Sequence, residues 1–521
     1  MIAEVFRCNP FVRIAMSLVA GILLGGSLYG VCGGAEAVVA SAGTAVVLVI
    51  TGAIAGQKVM HSFAQLPSLS ILLGMFFMGM ALRLAVEQRA DAALPAGMAD
   101  YKVVFAEEPV MHGRVAMADC YVAGGPLAGR KIRLSIMPGY DKGELPHTGQ
   151  CVCFTSRMCR PENFSRGFDY ALYMRRHGYA AVAFVYASAM TVCSVSLSDV
   201  PVMTRAAVRL SRLRDSLLVH HVAKRHDGSV VSEDDGALIA AVALGSKKAL
   251  DKDLRDAYSV AGASHVLALS GLHLSILFSF LKIAFGRRPR WWKHTLLIIL
   301  IWLFVFLVGC PVSVCRAALM LTVYSLAGVM GRPRMSLNAL SMALVVLLLA
   351  DPLSIFDVGL QMSFLAVLAI IISQQWINGL CNPKSKLLGW LWQLMAVSVA
   401  AQLGTAPLAV FYFHRFPMLF LFTNVFVIPL TYVVLFSFAL YMILAWPAWL
   451  HAIAGSLCFG LARIMNGGVR IIASVPFAAV EDINVSAWHV MLLYIAAGGI
   501  IFLLTRLAHA LRVSDVEQDS Q

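Results

Sequence analysis

The sequence predicts a polytopic α-helical membrane protein, with about 12 transmembrane helices and one inserted β-domain. Hydrophobic residues make up 60% of the 521 positions and charged residues only 13%, whereas a soluble domain carries roughly 25% charged residues. Runs such as TLLIILIWLFVFLVG are free of charge and approach the roughly 20 apolar residues that a membrane helix needs. One long region is polar instead, and its apolar and polar residues alternate as they do in β-strands.

The hydrophobic segments fall into two groups on either side of this polar region. Positive charge sets their direction, because Lys and Arg concentrate in cytoplasmic loops. Arg7 and Arg13 place the N-terminus inside, as do the basic loops GRRPRWWKH, GRPR and NPKSK for the later segments. We expect a multi-pass inner-membrane protein with both termini cytoplasmic and the polar region extracytoplasmic. The expected spans are 11–31, 36–55, 67–86, 262–285, 294–310, 313–331, 336–350, 357–375, 388–412, 418–445, 449–475 and 487–508.

The polar region is predicted to form a small β-barrel with an OB-like fold, and a generic β-sandwich is the alternative. In RKIRLSIM, Ile132, Leu134 and Ile136 share one face. Four more strand candidates are YKVVFAE, GRVAMADCYV, GQCVCFTS and AAVAFVYASAMTV. The predicted domains are 1–90 (N-terminal transmembrane helices), 91–202 (β-domain), 203–260 (basic, amphipathic interfacial helices), 261–510 (second transmembrane domain) and 511–521 (cytoplasmic tail).

Five cysteines lie in this β-domain. An oxidising compartment favours disulfides, so we expect one or two, and the sequence leaves their pairing open. The residues are Cys120, Cys151, Cys153, Cys159 and Cys193.

The stretch GASHVLALSGLHLSILF carries polar side chains where a membrane helix is expected. At helical spacing His265, Ser270 and His273 fall on one side, which must face protein or water rather than lipid. Three interpretations stay open: a hydrogen-bonded core, the lining of an aqueous path, or a catalytic or metal-binding pair. For the last, two histidines supply few ligands and the motif contains no carboxylate.

Polar residues in the later spans raise the same question. Together they predict a wet interior, which is typical of a channel and of a transporter. Pro407 and Pro429 lie inside apolar stretches and are expected to break or kink their helices. Arg316 is interpreted either as a pore charge or as an interfacial residue that reaches outward. The candidate path residues are Arg316, Asn338, Asp357, Gln361, Gln402 and Asn424, besides His265, Ser270 and His273.

Cations and aromatic residues are interleaved in the β-domain. OB-folds hold single-stranded nucleic acid with this combination, and a solvated face beside anionic lipid is the alternative. The net charge of +13 fits both an anionic ligand and the positive-inside rule, so it decides neither. The predicted DNA-binding residues are Arg130, Lys131, Arg133, Arg157, Arg160, Arg166, Phe154, Phe164 and Tyr170.

AGASHVLALSGLHLS resembles the signature of the ComEC family, the inner-membrane DNA channels of natural transformation. PENFSRGFDYALYMRRHGYAA, CRAALM, SLNALSMALVVLLLADPLSIFDVGLQMSFLAV, AQLGTAPLAVFYFHRFP and LFTNVFVIPL resemble further family motifs in the family's order. Many members end in a metallo-β-lactamase-like domain. The present sequence has no H-x-H-x-D-H cluster, so the resemblance implies the short form without that domain.

This resemblance implies a channel that conducts single-stranded DNA across the inner membrane, with no enzymatic activity, cofactor or metal. The implied partners are single-stranded DNA, membrane lipids, an envelope DNA receptor, a separate nuclease, and a cytoplasmic helicase or single-strand-binding protein. A secondary transporter of a small anionic solute or lipid is the first alternative. An intramembrane hydrolase built on Ser270 and His273 is the second.

Overall fold

The computed structural model describes most of the chain, which divides into two compact units. The first unit comprises Met1–His220, Trp302–Cys310 and Ser341–Ile355, and the second comprises His221–Ile301, Pro311–Leu340 and Phe356–Gln521. Phe164, Arg166 and the predicted C-terminal tail lie outside the described residues. The described residues are 9–32, 35–58, 66–90, 94–95, 97–138, 145–163, 169–193, 202–218, 233–246, 249–286, 291–329, 336–381, 383–444 and 447–499.

The first unit begins with three apolar helices, α1 (Pro10–Cys32), α2 (Ala35–Lys58) and α3 (Leu66–Ala90). Glycines bring their backbones close together. A β-carbon at Gly21 would collide with the carbonyl oxygen of Phe76, and one at Gly79 with that of Leu18. Small residues at membrane helix interfaces commonly permit such close approach.

The β-domain follows these helices and contains all five predicted strands. Its order is β6-β4-β3-β1-β5-β7, with β2 paired to β3. Every pair is antiparallel except β4 with β6, which is parallel. The alternation of RKIRLSIM is confirmed, because Ile132, Leu134 and Ile136 are buried in the core of this domain. The strands are β1 (Ala99–Phe105), β2 (Val110–His112), β3 (Val115–Gly124), β4 (Lys131–Met137), β5 (Cys151–Ser156), β6 (Tyr179–Tyr186) and β7 (Thr191–Val192), with helix α4 (Tyr170–Arg176) before β6.

Helix α5 (Val202–Leu218) is the first of the predicted interfacial helices. Its position on the membrane stays a prediction, and two of its arginines bind the β-domain. Arg212 Nε donates to the carbonyl oxygen of Thr148 over 3.1 Å. Arg214 is buried, and its Nη2 lies 3.8 Å from a carboxylate oxygen of Glu107. The basic face of this helix is therefore partly used within the first unit.

Eleven further helices are described, mainly in the second unit. Two of them, α10 and α12, are divided between the units. They are α6 (Glu233–Leu244), α7 (Lys252–Val260), α8 (Ser264–Leu267), α9 (Gly271–Ala284), α10 (Trp291–Leu307), α11 (Val312–Val329), α12 (Ser336–Ala350), α13 (Val358–Gly379), α14 (Lys386–Phe413), α15 (Phe420–Ile443) and α16 (Ala448–Ala473). Another apolar helix, α17, covers Ala487–Gly499, and a short ladder pairs β8 (Phe416–Pro417) with β9 (Ala479–Val480).

Helix α6 corrects the expectation of interfacial helices over 203–260. Its residues from Asp235 to Leu244 are all buried, because the segment GALIAAVAL is apolar on every side. Its acidic first turn is neutralised by α16: Arg463 Nε lies 3.2 Å from Asp235 Oδ2, and Asn466 Nδ2 donates to Asp235 Oδ1 over 3.0 Å. The amphipathic expectation holds for α7, whose Leu254 and Tyr258 are buried.

The apolar helices make the chain a membrane protein. Among the described residues, six helices are long and apolar enough to cross a membrane: Pro10–Tyr29, Ser68–Arg89, Val358–Gly379, Lys386–Phe413, Phe420–Ile443 and Ala448–Ala473. Six shorter apolar helices coincide with the other predicted spans, and the count of twelve crossings stays a prediction.

The prolines do not break their helices, and the expected kinks stay a prediction. Helix α14 runs through Pro407 and α15 through Pro429. A proline in a helix deprives carbonyls of the preceding turn of their usual donors, and neighbouring helices can supply substitutes. Here the Tyr494 hydroxyl donates to the carbonyl oxygen of Gly404 over 2.8 Å, one turn before Pro407.

Candidate functional site

The segment 262–285 was expected to be one helix and is instead two. Helix α8 ends at Leu267, and α9 begins at Gly271. Ser270 between them is extended, with φ −125° and ψ 175°, and is the N-cap of α9. Serine favours this position because its side chain and backbone can satisfy the free N–H groups of the first turn. The prediction that His265, Ser270 and His273 share one side of a single helix is therefore wrong.

His273 completes the cap and is otherwise isolated. Its Nδ1 accepts a hydrogen bond from the backbone N–H of Ser270 over 3.2 Å and lies 3.1 Å from Ser270 Oγ. The side chain is only 3% exposed. Its Nε2 is buried without a hydrogen-bond partner in the described part of the chain. His265, on α8, is exposed instead.

The residues on both sides of α8 contact other elements: Leu269 contacts α11, and Gly262 lies against β8. Ser313 Oγ, on α11, donates to the carbonyl oxygen of Leu269 over 2.7 Å. Gly262 adopts φ +80°, and a β-carbon there would lie 2.9 Å from Pro417 Cβ. Non-helical backbone at membrane depth persists only where protein or a cavity surrounds it, and these contacts supply protein on two sides.

Arg316 lies one turn after Ser313 on α11 and is buried, with 2% of its surface exposed. Its guanidinium carbon sits 5.6 Å from the ring centroid of Phe364 on α13. Asp357 lies within its electrostatic range. Even so, Arg316 Nη1 is buried with no hydrogen-bond partner among the described residues. The side chain is thus enclosed by protein and does not reach outward.

The other predicted path residues are placed on several helices. Asp357 is the N-cap of α13 and accepts from the Leu360 N–H over 2.9 Å, so Gln361 lies in the first turn and not well inside the span. The Tyr412 hydroxyl donates to Gln361 Oε1 over 3.1 Å. Asn424, on α15, is 9% exposed, and its Oδ1 is buried without a partner in the described structure. Asn338 and Gln402 are half-buried.

Two of the predicted DNA-binding cations of the β-domain are engaged in an internal cluster. Lys131 Nζ and Arg133 Nε lie 3.2 and 3.0 Å from the Asp119 carboxylate. Arg133 Nη2 also donates to the Tyr179 hydroxyl over 2.7 Å, and that hydroxyl donates to Asp119. Burial opposes ionisation of Asp119, but Lys131, Tyr179 and Arg133 outweigh it and hold the pKa of the carboxyl below its ordinary value. These cations are consequently paired before any ligand arrives.

The remaining predictions for the β-domain divide by exposure. Phe154 is buried in its core and cannot stack on a base, because its strand turns that side inward. Tyr170 is half-buried, and its ring centroid lies 6.3 Å from that of Tyr173. The exposed predicted cations are Arg130, Arg157 and Arg160.

The sequence analysis missed two aromatic residues on the outer face of β6. Phe184 is 47% exposed and Tyr186 55%, with ring centroids 5.6 Å apart in an edge-to-face arrangement. Ser156 Oγ donates to the Phe184 carbonyl oxygen over 3.2 Å, and the following residue, Arg157, is exposed. In AAVAFVYASAMTV, Phe184 and Tyr186 alternate with Val185, which is buried. This alternation could have placed both rings on the outer face of the strand.

The expected disulfide is present. Cys153 and Cys193 are joined across 40 residues, with their Cα atoms 6.0 Å apart. Cys120 is fully buried, and burial raises the pKa of its thiol well above the ordinary value. The bond ties β5 to the strand segment at the end of the β-domain.

Fold and site together define a polytopic membrane protein whose helices enclose polar and basic side chains. The Competence protein family model matches residues 242–507, and the chain belongs to this family. That membership confirms the resemblance to the ComEC family.

Two relatives from competence systems match parts of the chain. ComE operon protein 3 of Bacillus subtilis (strain 168) is 33% identical over 205 residues, which are 39% of this chain and 25% of that protein. Competence protein ComA of Neisseria gonorrhoeae is 31% identical over 151 residues, which are 26% of this chain and 21% of that protein. The matches therefore span about a quarter or less of these relatives. No solved structure matches the chain.

Proposed function

We propose that this protein takes part in DNA uptake for competence and conducts single-stranded DNA across the inner membrane. One observation carries the proposal: the residues that match the Competence family, 242–507, include the helices that enclose Arg316, His273 and Asn424. Buried polar and charged groups in a membrane domain are costly and mark substrate paths by default. Such groups on α9, α11 and α15 support a polar route in place of hydrocarbon.

The β-domain would capture the DNA on the extracytoplasmic side. Its five long strands, with β6 parallel to β4 and a bridge between Cys159 and Val182 beside β5, support a small barrel of the OB type. Phe184 and Tyr186 provide exposed rings, and the same domain exposes Arg157; rings and cations of this kind suit base stacking and phosphate contact. This combination favours DNA over a small anionic solute as the passenger.

The geometry of Ser270 and His273 favours conduction over hydrolysis. In a Ser–His hydrolase the base is free to take the serine proton and is oriented by a third group. Here Nδ1 of His273 already accepts the backbone N–H of Ser270. Nε2 has no carboxylate or other partner among the described residues. The proposed activity is therefore binding and passage without covalent chemistry, with a cytoplasmic helicase or single-strand-binding protein as the source of pulling force.

The first test is a deletion of the gene in cells shown to be competent. Fluorescently labelled duplex DNA is supplied, external DNA is digested, and the protected signal is measured separately in envelope and cytoplasm. We expect label in the envelope but none in the cytoplasm, with cytoplasmic signal restored by the intact gene. Cytoplasmic signal that accumulates at the unaltered rate in the deletion strain would overturn the proposal.

A further inference from the structure

Among the buried polar atoms of the second unit that have no hydrogen-bond partner within the described residues, His273 Nε2 and Arg316 Nη1 lie on α9 and α11, which pack together; Ser325 Oγ and His294 Nδ1 are further ones. Leaving a buried donor unpaired costs free energy, and more so for a charged group. Native structures keep few such groups, and each one calls for an explanation in terms of a ligand, water or ion. Their presence on two packed elements of one domain points to an acceptor that comes from outside the chain.

The cap of α9 determines which nitrogen of His273 carries the proton. Nδ1 accepts the backbone N–H of Ser270, so it carries no proton, and a neutral imidazole then has its proton on Nε2. The hydrogen-bond network thus assigns His273 as an uncharged donor. Its free N–H is the group that is buried without a partner.

A second copy of the same cap separates capping from burial. At the start of α17, Ser486 N–H donates to His489 Nδ1 over 3.2 Å, with the same spacing of three residues as Ser270 and His273. His489 is exposed, so its Nε2 is not enclosed by protein. The cap therefore needs no burial, and the buried donor is what distinguishes His273.

Arg316 presents a different kind of donor. Its planar group lies over the Phe364 ring, and the neighbouring Ala317 faces Gly271, the first residue of α9. Arginine carries a permanent charge and a fork of N–H groups that matches the oxygens of a phosphate. Asp357 lies in electrostatic range and partly offsets the charge.

We infer that His273 and Arg316 each hold a phosphodiester group of the passing strand, His273 as a neutral donor and Arg316 as a cation. This inference rests on the proposed conduction of DNA and adds the chemical group that is recognised. Every nucleotide carries that group, so the contacts are independent of base sequence. Passage along the strand replaces one phosphate by the next at each donor.

The two roles differ in their salt dependence. Each phosphate neutralised by a cation adds about 0.7 to the slope of log affinity against log salt for single strands, whereas a neutral donor adds nothing. The test uses the purified full-length protein in nanodiscs and a fluorescent thymidine oligonucleotide, with binding followed by anisotropy over a series of salt concentrations. Arg316→Gln is expected to lower the slope by about 0.7. His273→Ala is expected to weaken binding roughly tenfold with the slope unchanged.

Matched variants separate these effects from folding and from general charge. His489→Ala removes only a cap, and Lys252→Gln removes only an exposed cation; both are expected to bind as the wild type does. His273→Gln retains an acceptor for the cap and a donor beyond it, so it should restore binding. Arg316→Lys keeps the charge, so the slope of log affinity against log salt should not change. This variant replaces Arg316→Gln in the test if Arg316→Gln does not fold.

Three results would overturn the inference while leaving the proposed function intact. The first is a folded His273→Ala protein that binds as His489→Ala does. The second is an Arg316→Gln slope equal to that of Lys252→Gln. If Arg316→Gln does not fold, the third is an Arg316→Lys slope lowered by the same amount. Failure of the gene deletion to block cytoplasmic uptake would instead remove the proposed function itself.

Discussion

The enclosed cations of the β-domain and those of the membrane helices in the second unit differ in whether they have partners within the chain. In the β-domain, Lys131 and Arg133 are matched by Asp119 and by the Tyr179 hydroxyl. In the second unit, Arg316 keeps a buried N–H without a hydrogen-bond partner in the described structure. The first arrangement is complete without a ligand and stabilises the fold. The second is incomplete, and such sites are where a ligand is expected.

The largest effect is expected for Arg316 in cells. Replacing Arg316 by Gln should lower the number of transformants per viable cell roughly a hundredfold, since a charge-assisted contact to phosphate is lost. Equal amounts of wild-type and variant protein in the membrane, measured by immunoblot, are the control. An unchanged transformation frequency at equal protein level would show that Arg316 binds no DNA and has a structural role, as Lys131 and Arg133 have in the β-domain.

The exposed aromatic pair of the β-domain should show the next largest effect. Stacking contributes about 1–3 kcal/mol per base, so Phe184→Ala with Tyr186→Ala should weaken oligonucleotide binding by the full-length protein at least roughly tenfold. Exposed Val192, on β7, provides the control through Val192→Ala. Equal affinity of the double variant and this control would contradict a stacking role for the pair.

Breaking the internal cluster of the β-domain should affect stability and its pH dependence. Asp119→Asn leaves Lys131 and Arg133 without their carboxylate and should cost about 1–3 kcal/mol of unfolding free energy. Because the pKa of Asp119 is lowered in the folded state, its contribution is complete above the unfolded pKa of about 4 and is lost as the pH falls through the folded pKa.

Proteolytic susceptibility of the β-domain in the full-length protein, followed from neutral to acidic pH, measures this loss. The wild type should become more susceptible in the acidic range, and the step should be smaller in Asp119→Asn. Identical pH profiles would show that Asp119 does not contribute through its charge.

Ser270→Ala should give the smallest effect. The backbone N–H of Ser270 still donates to His273 Nδ1, so the tautomer is kept and only the hydroxyl contact is lost, at a cost of about 1 kcal/mol to the helix. Transformation frequency is the measurement, and Ser486→Ala at the equivalent cap of α17 is the control. Complete loss of uptake in Ser270→Ala alone would revive the hydrolase interpretation.

Apolar length and strand alternation predicted the elements well, because both depend on neighbours in sequence. Within the described residues, the twelve apolar helices and the five long strands follow from segments such as TLLIILIWLFVFLVG and RKIRLSIM. The sequence did not show that the helix continues through Pro407, since the tolerance of a proline depends on groups of other helices. Helix α6 misled the prediction, because its burial depends on Arg463 and Asn466 far along the chain.

The sequence by itself determined a membrane protein of the ComEC family with one inserted β-domain, since composition, alternation and ordered motifs are local properties. It also named His273 and Arg316 among the candidates. Only the tertiary structure decided that Ser270 begins a new helix, that Lys131 and Arg133 are already paired, and that Phe154 lies inside while Phe184 lies outside. The physical reason is that partners and burial are set by residues distant in sequence, and a hydrogen bond's worth depends on whether its groups have such partners.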